Sequence, residues 1–291
     1  MTKPNLEPIL NLLPALLTIA ILIALWQVAV TSLAVPEYLV PSPARIIASL
    51  VDTRIDWLSN ASITLYETVG GFAISATAGI FLAIALTWSS WLKKTLYPLI
   101  IGLQIVPKVA LAPILLVVLG FGYLPRILVA FLVSFFPVVV DTTSGLEALD
   151  QDLVYVLKSL GSSKFQILRL ASVPFAMPYI FNGLKVSVTL ALVGAVVAEF
   201  IQANDGLGYL IVSAQLQLST ATAFAALALL TVMGFALYGL LLLIESLVIP
   251  WYRRSKKVER IASLSSVVEE MTPLPSLKTD FIEAPGSLEN P

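Results

Sequence analysis

The sequence predicts an all-α polytopic membrane protein with six transmembrane helices. Three observations carry that expectation. Of the 291 residues, 58% are hydrophobic and 12% are charged, about half the charged fraction of a soluble domain. Six apolar runs, residues 9–30, 62–88, 96–119, 125–140, 178–202 and 221–250, approach or exceed the roughly 20 residues a helix needs to cross a bilayer. Lys and Arg are unevenly divided between the segments that join those runs. With the N-terminus inside, 12 of the 17 fall on the inner side, 3 on the outer side and 2 within spans. That imbalance places both termini in the cytoplasm.

Composition also excludes. The chain has no Cys and no His, which removes disulfides, thiolate nucleophiles, Cys/His metal sites and histidine acid–base chemistry. A net charge of −1 gives no general attraction for nucleic acid. No G-x-x-x-x-G-K-[ST] phosphate loop occurs, so if ATP drives this protein, another chain binds it. No catalytic residue, metal or cofactor is expected.

Residues 1–60 hold the first span and an outer segment, 36–60, with a short amphipathic helix at 43–50 and Trp57 as an interface anchor. Ser32-Leu33-Ala34 resembles a signal-peptidase site. The apolar run before it is longer than a signal core of about 7–15 residues, so the span is read as retained. Residues 61–250 form the core. In the second span Gly71, Ser75 and Gly79 lie four apart, a small-residue stripe on which another helix packs closely. Trp88, Trp91, Lys93 and Lys94 mark the return to the inner surface, and Pro107 and Pro113 interrupt the third span. The fifth span carries a second stripe, Gly183, Ser187, Ala191 and Ala195, ending in Glu199. The outer segment 203–219 begins with the turn-like Asn204-Asp205-Gly206, and its amphipathic piece 207–218 is expected to dip into the membrane interface. Residues 251–291, rich in Ser, Pro and Glu, read as a disordered cytoplasmic tail.

The polar stretch 141–177 lies between the fourth and fifth spans. Leu153, Val154, Val156, Leu157 and Leu160 recur at helical spacing before Gly161; Phe165, Ile167, Leu168 and Leu170 do so after it. Gly ends a helix well, and the Ser162-Ser163 pair that follows can start the next. Pro174 and Pro178 close the segment. The reading is helix, turn, helix on the inner membrane surface.

The run LKSLGSSKFQILRLASVPFAMP (157–178) resembles the cytoplasmic loop of the permease subunits of ABC importers, the binding-protein-dependent transport family. That loop reads Glu-Ala-Ala, three residues, Gly, nine residues, Ile, one residue, Leu-Pro. Gly161 and Pro174 match its spacing, while its Glu-Ala-Ala falls on Tyr155, Val156 and Leu157, and its Ile and Leu on Ala171 and Val173. QIVPKVALAPILLVVLGFG (104–122) and VVAEFIQANDGLGYLI (196–211) look like the nitrate, sulfonate, taurine and vitamin-precursor branch of these permeases. The resemblance implies a type I importer permease core in a bacterial inner membrane. It also implies a second permease chain in a homodimer, two cytoplasmic ATPase subunits and an extracytoplasmic solute-binding protein. Movement of solute would follow alternating access. The implied cargo is a small organic nutrient such as a pyrimidine or flavin, with nitrate, sulfonate, taurine or bicarbonate as the alternative.

Candidate residues follow from both lines. For coupling to the ATPase they are Lys158, Ser159, Leu160, Gly161, Ser162, Ser163, Lys164 and Pro174. For the translocation path they are Pro107, Lys108, Glu67 and Glu199, because charge inside a span is costly and points to function. Lys108 would line a polar path or pair with a buried acid, and Glu67 would partner Lys108 or the outer loops. For Glu199 the choice is between a gate-side pairing or hydrogen-bond role and simple interface exposure. Lys185 and Glu245 are expected to reach headgroups, and Phe135, Phe136 and Phe181 to pack. A passive channel, a scaffold and a membrane-embedded enzyme are the competing classes. The first two leave the cytoplasmic helix–turn–helix or mid-span Lys108 without a role, and an enzyme would have only scattered Glu, Asp and Lys.

Overall fold

The computed structural model describes residues 7–251 except 121 and 203. By contact, Met1–Glu245 form one compact unit and Ser246–Pro291 a second. The expectation of a disordered tail therefore lies almost wholly outside the described residues.

Every described element is helical: α1 (Glu7–Ser32), α2 (Pro43–Leu50), α3 (Trp57–Trp88), α4 (Ser90–Ile105), α5 (Lys108–Leu119), α6 (Tyr123–Glu147), α7 (Gln151–Ser159), α8 (Lys164–Ile167), α9 (Val173–Gln202), α10 (Leu207–Leu216) and α11 (Thr220–Val248). A π-turn, Leu168–Ser172, joins α8 to α9. Five helices are long and apolar enough to cross a membrane, and α4 with α5 makes a sixth span if the bent pair is counted as one.

The core is a three-helix sandwich with α6 between α3 and α9. Small residues set its spacing. The α3 stripe faces α6: a methyl group on Gly71 would lie 2.5 Å from the Ala130 Cβ, and one on Gly79 2.8 Å from the Val138 Cγ1. The α9 stripe faces α6 from the other side. Ser187, Ala191 and Ala195 are fully buried, and a methyl group on Gly194 would sit 2.7 Å from the Ala130 Cα. Without a hydrophobic drive between helices in lipid, close packing and interhelical hydrogen bonds hold such a core together. One such bond is Ser75 Oγ to Ser134 Oγ at 2.6 Å. The aromatics pack as expected: Phe136 lies in a cluster with Leu86, Ile100 and Val139, and Phe181 is buried.

Three expectations are corrected. The third span, expected to be interrupted at Pro107 and Pro113, breaks only at the first, into two helices meeting at 87°. Proline disfavours helical backbone at the residue before it, and Val106 is extended at φ −63°, ψ 128°. Pro113, by contrast, stays within α5. The fourth span runs on to Glu147, with Thr142, Thr143, Gly145 and Leu146 buried, so the first turns of the 141–177 segment belong to the bundle. Pro174 and Pro178 do not end the following helix. The π-turn widens the chain just ahead of Pro174, with the Val173 N–H donating to the Leu168 carbonyl, and Lys164–Ile201 forms one span. On the side of the 203–219 segment, α10 packs on the bundle: Leu207, Ile211 and Ala214 lie against Ala223, Ala226 and Leu230 of α11, with Trp57 against the same cluster.

Candidate functional site

Three places are candidates for function: a buried polar cluster at the end of the bundle expected to face outward, the α4–α5 break, and the α7–α8 turn at the end expected to face inward.

The outer cluster grows from the ends of the two small-residue stripes. Glu67 stands one turn before Gly71 on α3, and Glu199 one turn after Ala195 on α9. Both are buried, Glu67 at 0% and Glu199 at 1% exposure. Arg126, in the first turn of α6, comes between them. Its Nη1 donates to Glu67 Oε1 at 2.7 Å and to Asp205 Oδ1 at 2.8 Å, while its guanidinium lies 5.0 Å over the Tyr123 ring. The Tyr123 hydroxyl donates to the other Asp205 oxygen at 3.1 Å. Glu199 has further donors of its own. Thr64 Oγ1 donates to its Oε1, and the Gly208 N–H donates to its Oε2, each at 2.6 Å. The Thr64 hydroxyl in turn accepts the Leu207 N–H at 2.9 Å, and Asn60 Oδ1 accepts the Gly206 N–H at 2.8 Å. The Asn204-Asp205-Gly206 turn is thus tied to α3, α6 and α9 at once. Gly206, at φ +101°, takes a backbone shape that other residues avoid, and a methyl group at Gly206 or Gly208 would collide with the Glu199 carboxylate.

Of the two partners expected for Glu67, Lys108 is not met, and the outer segments supply Arg126 and, through it, Asp205. Arg126, one of the three cations assigned to the outer segments, is a buried residue of α6. Glu199 takes the hydrogen-bonded alternative and not exposure at the interface. Arg126, Asp205, Asn60, Thr64 and Tyr123 were absent from the candidate list. A signal existed for Arg126: two buried acids at the ends of stripes that clasp one helix require a cation from that helix.

Lys108 opens α5 directly after the break. In an unbroken helix its N–H would bond the Gln104 carbonyl. Here its side-chain Nζ donates to that carbonyl instead, at 3.2 Å, and lies 4.7 Å from the centre of the Phe136 ring. It therefore caps the end of α4, where a cation is favoured. Toward the inner end, Lys185 and Glu245 pair with each other at 3.0 Å instead of reaching headgroups separately.

The α7–α8 turn forms as the sequence predicts. Gly161 has φ +82°; its N–H donates to the Lys158 carbonyl and the Ser162 N–H to the Leu157 carbonyl, a Schellman stop. Ser163 and Gln166 form a capping box. No residue of α7 is buried. Tyr155 is 62% and Leu160 76% exposed, so an apolar face is presented outward beside Lys158 and Lys164. Pro174 lies beyond the π-turn on α9 and takes no part in the turn itself.

Among the described residues there is no group of three metal-ligating side chains.

Residues 75–253 match the model of the family described as the binding-protein-dependent transport system inner membrane component. The formylaminopyrimidine transport permease protein ThiX of Halalkalibacterium halodurans is 29% identical over 234 residues, covering 80% of this chain and 93% of that protein. The riboflavin transport system permease protein RibX of Chloroflexus aurantiacus is 32% identical over 237 residues, covering 80% and 88%. Among solved structures, the inward-facing MetNI methionine ABC transporter matches at a TM-score of 0.50 and 16% identity, over 65% of this chain and 92% of that chain. That match supports the all-helical permease fold. The chain belongs to the binding-protein-dependent transport system inner membrane component family: it is a multi-pass inner-membrane permease subunit of an ABC importer, and not itself catalytic.

Proposed function

We propose that two copies of this chain frame one translocation path and couple it to a pair of cytoplasmic ATPase subunits through α7 and the Gly161 turn. The observation that carries this reading is the exposed face of α7, with Tyr155, Val156 and Leu160 all open to solvent at a rigidly built turn. An exposed apolar patch of that kind marks a protein contact. The excess of basic residues on the same side supports a cytoplasmic location for this face and for both termini. Lys158, Ser159, Ser162, Ser163 and Lys164 flank the contact, and Tyr155 presents an aromatic where the family pattern has an acid.

Closure of the ATPases brings the two Gly161 turns together. Because α8, the π-turn and α9 form one continuous rod, the motion passes directly along α9 to Glu199. The clasp of Glu67, Arg126, Asp205 and Glu199 then carries α3, α6 and the outer turn as one body. Glu67 and Glu199 act on the path from behind, as a lock on the helices that frame it. Lys108 and Pro107 act at the path itself, where the α4–α5 corner leaves a cation half-exposed in a broken span.

For cargo, we favour a small heterocyclic nutrient such as a pyrimidine or flavin over nitrate, sulfonate, taurine or bicarbonate. The two relatives named above support this. The test is ATP-dependent uptake into vesicles holding this chain, its ATPase and its binding protein. Uptake of riboflavin or a pyrimidine and not of nitrate supports the reading. Nitrate uptake alone overturns the choice of cargo, and flux that needs no ATP overturns the importer mechanism for this chain.

A further inference from the structure

At the inner end of the bundle a cavity of about 850 Å³ opens between the start of α4, the end of α6 and the α7–α8 segment. Lys93, Lys94, Lys158 and Lys164 line it, against one carboxylate, Glu147. That carboxylate is engaged, with Lys93 Nζ 2.6 Å from its Oε1. Lys158 lies 5.7 Å over the Tyr155 ring. Lys94 and Lys164 have no acidic partner among the described residues. The apolar floor within reach is made by Tyr97, Pro98, Val154 and Leu168, over the buried Leu86, Leu146 and Ile167. Trp88 stands at the rim, and Trp91 next to it is 73% exposed. Exposed Trp at the end of a span sits at headgroup level.

We propose that this cavity binds an anionic phospholipid of the cytoplasmic leaflet. Its phosphate sits at Lys94 and Lys164, and the top of an acyl chain lies on the Tyr97–Pro98–Leu168 floor. A basic pocket between helices on the cytoplasmic side is suited to an anionic headgroup. The apolar floor selects a lipid over free phosphate, which would gain nothing from it. The proposal rests on the cytoplasmic placement of this end of the bundle argued above. It adds regulation to that placement: Gln151, Val154 and Lys158 of α7 form one wall, so the bound lipid braces the docking element from the membrane side.

The experiment is native mass spectrometry of the purified full chain in mixed micelles holding equal amounts of phosphatidylglycerol and phosphatidylcholine. Phosphatidylglycerol is retained and phosphatidylcholine is not. Each lysine near the surface contributes about 1 kcal/mol, so Lys94→Gln with Lys164→Gln weakens retention roughly 30-fold, at tenfold per 1.4 kcal/mol. The Lys94→Arg, Lys164→Arg variant retains the lipid. Arg45→Gln with Arg54→Gln, an equal change of charge at the outer side, has no effect. Equal retention of the two lipids, or equal loss in the outer-side control, overturns the proposal; displacement by inorganic phosphate overturns it in favour of a soluble anion. The sidedness is checked separately. The chain has no Cys, so a Lys94→Cys variant is a clean label site. Labelling only from the outside would overturn the cytoplasmic placement, whereas labelling from the inside with no lipid selectivity would overturn the lipid site alone.

Discussion

Replacing Arg126 with Met tests the outer clasp. Met keeps much of the length and loses the charge, leaving Glu67 at 0% exposure with no cation. Stranding one partner of a buried ion pair costs about 3–5 kcal/mol. The second contact, to Asp205, whose side chain is 33% exposed, adds at most about 1 kcal/mol. For a chain of this size each kcal/mol moves the melting temperature by roughly 2–4 °C. Arg126→Met should therefore melt roughly 6–24 °C lower in detergent, followed by tryptophan fluorescence. The double variant Arg126→Met, Glu67→Met should recover most of that loss, because removing both partners leaves no stranded charge. A single variant that melts like the parent, or a double variant whose loss is the sum of the two singles, would refute the pairing.

Other outcomes follow from the same structure. Gly71→Val should separate α3 from α6, since its first added carbon already meets Ala130 at 2.5 Å; loss of monodisperse protein on size-exclusion would show this, and unchanged behaviour would contradict the packing. Gly206→Ala should lose about 1–3 kcal/mol from its backbone conformation alone, φ +101° with ψ 163°, and more from collision with Glu199, read as a lower melting temperature that Gly239→Ala, in open space, does not share. Lys108→Gln should leave the fold intact and lower transport of an anionic solute more than of a neutral one; equal loss for both would assign Lys108 to capping α4 alone.

The six-span outline was legible because hydropathy and the Lys/Arg imbalance report lipid directly. The small-residue stripes were legible too, since a spacing of four places Gly71, Ser75 and Gly79 on one face. Gly161 and Ser163 were readable for a local reason: a positive-φ stop and a serine cap depend on neighbours in sequence. What failed depended on partners far along the chain. Arg126 follows Pro125 at a span boundary, and nothing within its own helix says it turns inward to Glu67, 59 positions earlier. Prolines misled in both directions. Pro107 breaks its span because Val106 swings into extended backbone, while Pro174 is absorbed by a π-turn that no local pattern announced. Lys108 read as a charge seeking an acid, whereas the break supplies it with a carbonyl.

The central claim is that the Gly161 turn couples this chain to an ATPase. The direct measurement is quantitative mass spectrometry of what co-purifies with the tagged full chain from gently solubilised membranes, for the parent and for a Tyr155→Asp, Leu160→Asp variant. Tyr155 and Leu160 are exposed and Gly161 keeps its positive φ, so the variant should assemble and insert normally. The account predicts a stoichiometric ATPase with the parent and its loss from the variant, with the melting temperature little changed. An ATPase retained by a well-folded variant, or none with the parent, would contradict it.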